Sequence, residues 1–203
     1  MNTQLSLVTD QAGRRVDFER HEAPACGRLG TDPLDARPGI GITVQYHRGQ
    51  TIVVEGDPTS HYFKVIQGTL RRYQSIADGR RQVIDFLQTG DYFGLTELGQ
   101  HAYSVEAITP TTLVRIPRAN LEAACLRDPS LTGWLYHLAC LELARVQRQL
   151  LVLGRKTAEE KVASFLLGLA DPERDRDAPT RIHLAMSRLD IAAYRGLTLE
   201  TVS

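Results

Sequence analysis

The residues best suited to chemistry lie at the C-terminal end. Ser187-Arg188-Leu189-Asp190 forms a capping box that opens a short helix through Ile191-Ala192-Ala193-Tyr194. Gly196 ends that helix, and Leu197-Thr198 opens a further one that runs to Ser203. A helix of about eight residues, a glycine turn and a second helix beginning with Thr has the spacing of a helix-turn-helix, whose second helix enters the DNA major groove. Ala192, four residues before Gly196, allows close approach of the two helices, and Ile191, Leu197 and Val202 take inward positions. Thr198 can cap the second helix and bond a phosphate. Glu200 and Ser203 fall on its outer N-terminal face, where a carboxylate accepts from a cytosine amino group. Two helices that simply pack together, with no DNA nearby, remain the alternative.

Other chemistries lack support. The histidines at 21, 47, 61, 101, 137 and 183 show no H-x-H or H-x-x-x-H spacing, so a metal enzyme lacks ligands, and neither a metal nor a cofactor is expected. There is no G-x-S-x-G, no phosphate-cradling glycine loop and no catalytic carboxylate pair, so the chain is not expected to be an enzyme. Cys26, Cys125 and Cys140 lie far apart, which argues against a disulfide framework, a zinc knuckle or an iron–sulfur site. Cys125 and Cys140 read as small core residues. Cys26, beside Arg28, is a candidate redox thiol weighed against an inert exposed one.

The elements that must position the C-terminal motif come before it. The 203 residues are 42% apolar and 24% charged, an ordinary globular composition, and no apolar run approaches the roughly 18 residues of a membrane span. No secretory signal opens the chain, so a cytoplasmic protein without membrane contact is expected. Lys plus Arg equals Asp plus Glu at 24 each, so net charge gives nucleic acid no support and the motif must carry that reading alone.

Residues 1–39, interrupted by glycines and prolines, read as a flexible leader. Residues 40–125 hold short apolar runs at Ile42–Tyr46, Thr51–Val54, Tyr62–Ile66, Val83–Leu87, Val105–Ile108 and Leu113–Ile116, with Asp78-Gly79 as a hairpin tip. A turn signal about every 7 to 12 residues between them is the spacing of a sandwich or jelly roll. Residues 126–155 hold a long helix that starts at Asp128-Pro129, with Trp134 expected against the β-domain. Along it Ala139, Leu143, Val146, Leu150 and Leu153 recur at the spacing of a two-stranded coiled coil, which suggests a parallel homodimer. Packing of that seam on the chain's own β-domain is the alternative. Residues 156–203 form the last unit, opened by the capping box Thr157-Ala158-Glu159-Glu160 and holding the charged loop Asp171–Thr180.

Tyr46-His-Arg-Gly49-Gln-Thr-Ile52-Val-Val-Glu55-Gly56-Asp57, Tyr62-Phe-Lys-Val-Ile-Gln-Gly68 and Gly90-Asp91-Tyr-Phe-Gly94 together resemble the cyclic-nucleotide-binding-type β-roll of the Crp/Fnr transcriptional regulators. Met186 to Ala192 with Gly196 to Ser203 resembles their helix-turn-helix, and the resemblance covers about residues 40–203. It implies an α+β fold: an N-terminal β-roll (jelly roll), a long dimerisation helix and a C-terminal winged helix-turn-helix. Glu200 and Ser203 match two members of the family's E-x-x-S-R base-reading set, whose arginine would be residue 204. The resemblance therefore implies a C-terminally truncated reader that lacks about 1 to 3 kcal/mol of discrimination. Ser187, Arg188 and Thr198 match DNA-backbone positions. Arg195 departs from the apolar residue usual before the turn glycine, which implies a snorkelling stem or imperfect packing.

The sensor half departs too. Leu95 stands where cyclic-AMP binders of the family carry Glu, and Ala102-Tyr103-Ser104 stands where their phosphate-holding Arg pair belongs. Gly94, Leu95, Tyr103 and Ser104 therefore mark a degenerate effector pocket. Only Cys26 stands where Fnr-type proteins place three clustered cysteines, so an oxygen-labile cluster is not expected. The resemblance is to the FixK-like branch, which serves microaerobic respiration, nitrogen fixation or denitrification. It implies a homodimer that reads a TTGAT-like palindrome and an activator with RNA polymerase as partner. An effector-binding β-roll module, or a truncated paralogue that heterodimerises with an intact regulator and blocks it, are the alternatives.

Overall fold

A computed structural model describes residues 32–76, 79–95, 99–169 and 184–203. Cys26, Asp78 of the hairpin tip, His21, His183 and the charged loop Asp171–Thr180 lie outside the described residues. Eight strands precede the helices: β1 Ile42–Tyr46, β2 Thr51–Val53, β3 His61–Gln67, β4 Leu70–Ser75, β5 Arg81–Leu87, β6 Tyr92–Phe93, β7 Ser104–Ala107 and β8 Thr111–Pro117. They form two antiparallel four-stranded sheets, ordered β1-β8-β3-β6 and β2-β7-β4-β5. The sheets meet over Val53, Phe63, Val65, Leu70, Leu87, Phe93, Val105, Ala107 and Leu113, with the Phe63 and Phe93 rings stacked at 4.6 Å. This is the expected jelly roll. At the β3–β4 turn Gly68 has φ +102, and a Cβ there would lie 2.7 Å from the Pro110 carbonyl oxygen, so only glycine lets the two corners touch.

β4 and β6 carry no clear apolar signal. Arg71-Arg72 interrupts the period-2 pattern of β4, and a register shift follows between Arg72 and Tyr73. β6 is only two residues long.

Helix α1 spans Arg118–Arg127, and α2 spans Pro129–Arg155, with Asp128 accepting from the Ser130 amide at 2.9 Å as its cap. No helix among the described residues is long and apolar enough to cross a membrane. Leu131 and Leu121 pack on Tyr62 and Ile116, and the Trp134 ring stands edge-on to Tyr92 at 5.3 Å, as its place in the sequence predicts. The last residues of the expected leader are packed instead of loose. Leu34 is buried in the same cluster, and the Lys64 ammonium binds Asp35 and, at 2.6 Å, Asp32.

Helix α3, Ala158–Leu169, opens on the expected box: the Thr157 amide donates to Glu160 at 2.8 Å and the Glu160 amide to the Thr157 hydroxyl at 3.3 Å. Helices α4, Arg188–Arg195, and α5, Leu199–Val202, complete the described chain. Cys125 is half-buried against the α1–α2 cluster, but Cys140 is exposed, contrary to its reading as a core residue. It lies on the solvent side of α2 beside Ala139, where helix composition alone does not separate inside from outside.

Candidate nucleic-acid interface

Local hydrogen bonds build the motif. The Asp190 amide donates to the Ser187 hydroxyl at 3.1 Å, and the Ser187 amide and hydroxyl donate to the Asp190 carboxylate at 3.0 and 2.7 Å, closing the predicted capping box. Gly196, at φ +62, takes the left-handed conformation that ends a helix, and its amide and that of Leu197 both donate to the Ala192 carbonyl. Thr198 then caps α5 by accepting from the Thr201 amide at 3.4 Å. Ile191 and Ala192 are buried, and Val202 packs on the Phe165–Met186–Ile191 cluster. Pinning these apolar positions inward turns Glu200, Thr201 and Ser203 to solvent.

Electrostatics suit the outer face to hydrogen bonding. The Glu200 carboxyl is held below its usual range by its own backbone amide and the Thr198 hydroxyl, so it is ionised and acts purely as an acceptor. Ser203 donates its hydroxyl to the Leu199 carbonyl at 2.9 Å and keeps its lone pairs. Arg188 is exposed at the α4 N-terminus. Ser187, the expected DNA-backbone contact, is exposed and donates its hydroxyl to the Asp190 carboxylate within the cap.

Arg195 neither snorkels nor loosens the packing. It is buried, with its guanidinium 4.5 Å over the Tyr194 ring and 5.4 Å from that of Phe165, and it donates to Gln149 of α2 at 2.7 Å. Burial pushes its pKa down and Tyr194 pushes it up, the first prevailing. Burial likewise raises the Tyr194 phenol to about 12.

On α2 the seam lies open. Ala139, Leu143, Val146 and Leu150 are exposed, Leu143 at 58% and Leu150 at 65%, which overturns packing of this face on the chain's own β-domain. Leu153 is half-buried, its Cδ2 3.7 Å from where a Cβ on Gly196 would lie. Tyr136, 73% exposed and one heptad before Leu143, extends the stripe, a position that the sequence reading missed.

The opposite face of α2 meets the β-roll through charge. Arg72 is bound by Glu142 of α2 and by Asp85 at 3.3 Å, and Arg145 of α2 by Asp91 at 3.1 Å. Three carboxylates around two guanidiniums leave an excess of negative charge. Burial, reinforced by Glu142 and Asp91, pushes Asp85 up to about 6 against the pull of both arginines, and burial raises Asp91 as well.

This cluster adjoins the residues expected to mark the effector pocket. The Arg72 guanidinium sits 5.0 Å over the Tyr103 ring, and the Tyr103 hydroxyl accepts from the Gly94 amide at 3.4 Å. Ser104 is buried and accepts from the Glu55 amide at 3.0 Å, while Leu95 is largely exposed. Tyr103, Gly94 and Arg72 thus come together, whereas Ser104 is engaged with the Glu55 backbone. Both cluster cations are already neutralised by carboxylates, so a cyclic phosphate would meet no available counter-charge. The signals for this cluster were a carboxylate inside the apolar run Val83–Leu87 and an arginine pair in β4. Among the described residues no group of three or more His, Cys, Asp or Glu could hold a metal ion.

The cyclic nucleotide-binding domain family matches residues 43–128, and the Crp-like helix-turn-helix domain family matches residues 160–203. The chain is 36% identical over 179 residues to the nitrogen fixation regulation protein FixK of Bradyrhizobium diazoefficiens, covering 88% of this chain and 76% of that protein. It is 39% identical over 173 residues to FixK of Azorhizobium caulinodans, covering 84% and 70%. The structure of FixK2 from Bradyrhizobium japonicum superposes with a TM-score of 0.73 at 37% identity, over 80% of this chain and 81% of that one. A β-roll, a long helix and a helix-turn-helix in this order, with relatives this similar across most of their length, place the chain in the Crp/Fnr family of DNA-binding transcription regulators.

Proposed function

We propose that this regulator works as a cytoplasmic homodimer that reads a palindrome with TTGAT-like half-sites and activates transcription through RNA polymerase. The similarity to FixK proteins supports a role in microaerobic or nitrogen metabolism. Glu200 and Ser203 meet base edges, Arg188 and Thr198 hold phosphates, and Ala139, Leu143, Val146, Leu150 and Leu153 form the dimer seam with Tyr136. The observation that carries this reading is the outward face of α5, with an ionised carboxylate and a hydroxyl presented beside a capped, glycine-turned helix pair. The exposed apolar stripe of α2 supports the dimer, because an aqueous surface does not keep such a row uncovered without a partner. The β-roll acts as a scaffold without a cyclic nucleotide, because the Arg72 guanidinium beside Tyr103 is already bound by Asp85 and Glu142.

A salt-dependent titration of the 203-residue chain against the palindrome and a scrambled duplex tests the reading. Preference for the palindrome, with affinity falling steeply as salt rises, is expected of a reader that neutralises phosphates. Equal affinity for both duplexes refutes sequence-specific reading. A monomer by sedimentation refutes the homodimer.

A further inference from the structure

The helix-turn-helix is held to the rest of the chain along the whole length of α4. At its N-terminal end Asp190 accepts from Arg71 of β4 at 2.5 Å, and the other arm of that guanidinium is fixed by Glu106 of β7 at 2.9 Å. In its last turn the Ala193 carbonyl accepts from Gln82 of β5 at 2.6 Å. At its C-terminal end Gln149 of α2 donates to the Tyr194 carbonyl at 3.1 Å and accepts from Arg195 at 2.7 Å. Both bonds need the same amide orientation, since a flip would set donor against donor and oxygen against oxygen. Ile191 and Tyr194 fill the gap between these attachments by packing with Val83, Phe86 and Phe165.

Two attachments would leave a swivel about the line joining them. A third, on a separate element, removes it. Only Gly196 to Thr198 separate α4 from α5, and two amides of that turn are bonded to the Ala192 carbonyl, so α5 moves with α4. The orientation of α5 to α2 is therefore set by Arg71, Gln82, Gln149 and Arg195. An apolar residue at 195 would fill the space between Phe165 and Tyr194 equally well but could not reach Gln149. The buried guanidinium, with its Nε unpartnered, gives up solvation for a directional link.

We propose that Arg71, Gln149 and Arg195 are positioning residues that lock the helix-turn-helix at one orientation to α2 and so set the half-site spacing that the dimer accepts. They touch no DNA. The proposal rests on the DNA-reading function above: two copies joined along the α2 seam present their α5 helices at a fixed separation, about one helical turn, only if each α5 is rigid relative to its own α2.

The test compares the full chain with an Arg71→Met/Arg195→Met double variant, which keeps the aliphatic stems. The variant removes the links from Arg71 to Asp190 and from Arg195 to Gln149, and leaves the bonds of Gln82 and Gln149 to the α4 carbonyls as the two attachments about which α4 can swivel. Duplexes carry the palindrome at its best spacing, with the spacing changed by one base pair either way, or a single half-site. The parent chain is expected to lose at least about tenfold in affinity off-spacing, because both half-sites are no longer engaged together. The variant is expected to lose most of that discrimination while its single-half-site affinity stays level. A purely structural role would weaken all duplexes alike, and either that result or an unchanged spacing preference overturns the proposal.

A measurement without DNA keeps the two readings distinct. Spin labels at Arg48→Cys and Thr201→Cys, with the native cysteines replaced and the labelled chain diluted in unlabelled protein, are expected to give one narrow distance. That distance broadens when Arg71 and Arg195 are changed. An unchanged width overturns the lock even if the chain reads no palindrome, whereas a broadened width with no palindrome preference refutes the reader alone.

Discussion

The two faces of α2 invert the usual pattern of a surface helix. Toward its own β-roll the helix presents, beyond Leu131 and Leu138, the polar series Glu142, Arg145 and Gln149, each bonded to a group on the roll or on α4. Toward solvent it presents Tyr136, Ala139, Leu143, Val146 and Leu150. Ordinarily the apolar stripe of a helix faces its own core. The inversion separates two tasks: the charged face fixes where the helix lies on the roll by directional contacts, and the apolar face stays uncovered by its own chain, free for the second copy proposed above.

The largest expected effect comes from breaking the apolar face. A Leu143→Glu/Leu150→Glu variant sets like charges directly opposite one another in a dimer, and sedimentation is expected to show a monomer. Palindrome affinity should fall by about two orders of magnitude or more as the two half-sites become separate binding events. A variant that stays dimeric would mean that the stripe is not the seam.

Breaking the charged face should cost stability instead. Arg72→Met leaves Asp85 and Glu142 to Arg145, 4.0 Å from each, and removing one member of a buried pair costs about 3 kcal/mol in denaturant unfolding. Adding Asp85→Leu removes one of the under-neutralised carboxylates and should recover a substantial part of the loss. Equal losses in the single and double variants would show that the charges are not coupled.

The two carboxylates that tie separate regions to the roll should respond to pH with opposite sign. The folded pKa of Asp85, about 6, lies above its unfolded value near 3.8, so the folded chain binds the proton more tightly and this group's contribution falls as pH rises from about 4 to 6. Asp85→Asn should remove that slope from a pH series of unfolding midpoints. For Asp190 burial pushes the pKa up, but Ser187 and Arg71 outweigh it and hold it below its usual range. Its stabilisation is therefore full above the ordinary carboxylate range and is lost as pH falls through the folded pKa, a loss that Asp190→Asn should abolish.

The smallest effect is local. Ser187→Ala removes one half of the α4 cap and should cost about 1 kcal/mol, with no change in the number of phosphates neutralised, because the hydroxyl is committed to Asp190. A shallower salt slope in this variant would return Ser187 to the phosphate contacts.

Much of the fold was legible in short stretches. Asp128-Pro129, Thr157 with Glu160, Ser187 with Asp190, and Gly196 each act over four residues or fewer, and the structure places all of them as caps or turns where their chemistry requires. Six of the eight strands announced themselves as apolar runs. β4 did not, because Arg72 is an inward residue whose charge is met by Glu142, seventy positions away. In the candidate site, Thr198, Glu200 and Ser203 stand where helical geometry from Gly196 puts them, while Ser187 is bonded to its own helix through Asp190.

What the sequence determined by itself is what local sterics and periodicity control: where helices begin and end, which residues share a face, and that a turn glycine separates α4 from α5. Only the tertiary structure decided which face is covered. The heptad stripe of α2 reads the same whether it packs inward or outward. Arg195 reads as a misfit until Gln149, on another helix, supplies its acceptor, and Arg72 reads as a surface cation until Glu142 and Asp85 close on it. The physical reason is that burial of a charge or exposure of an apolar row is tolerated or forbidden by partners distant in the chain, and a one-dimensional pattern does not specify those partners.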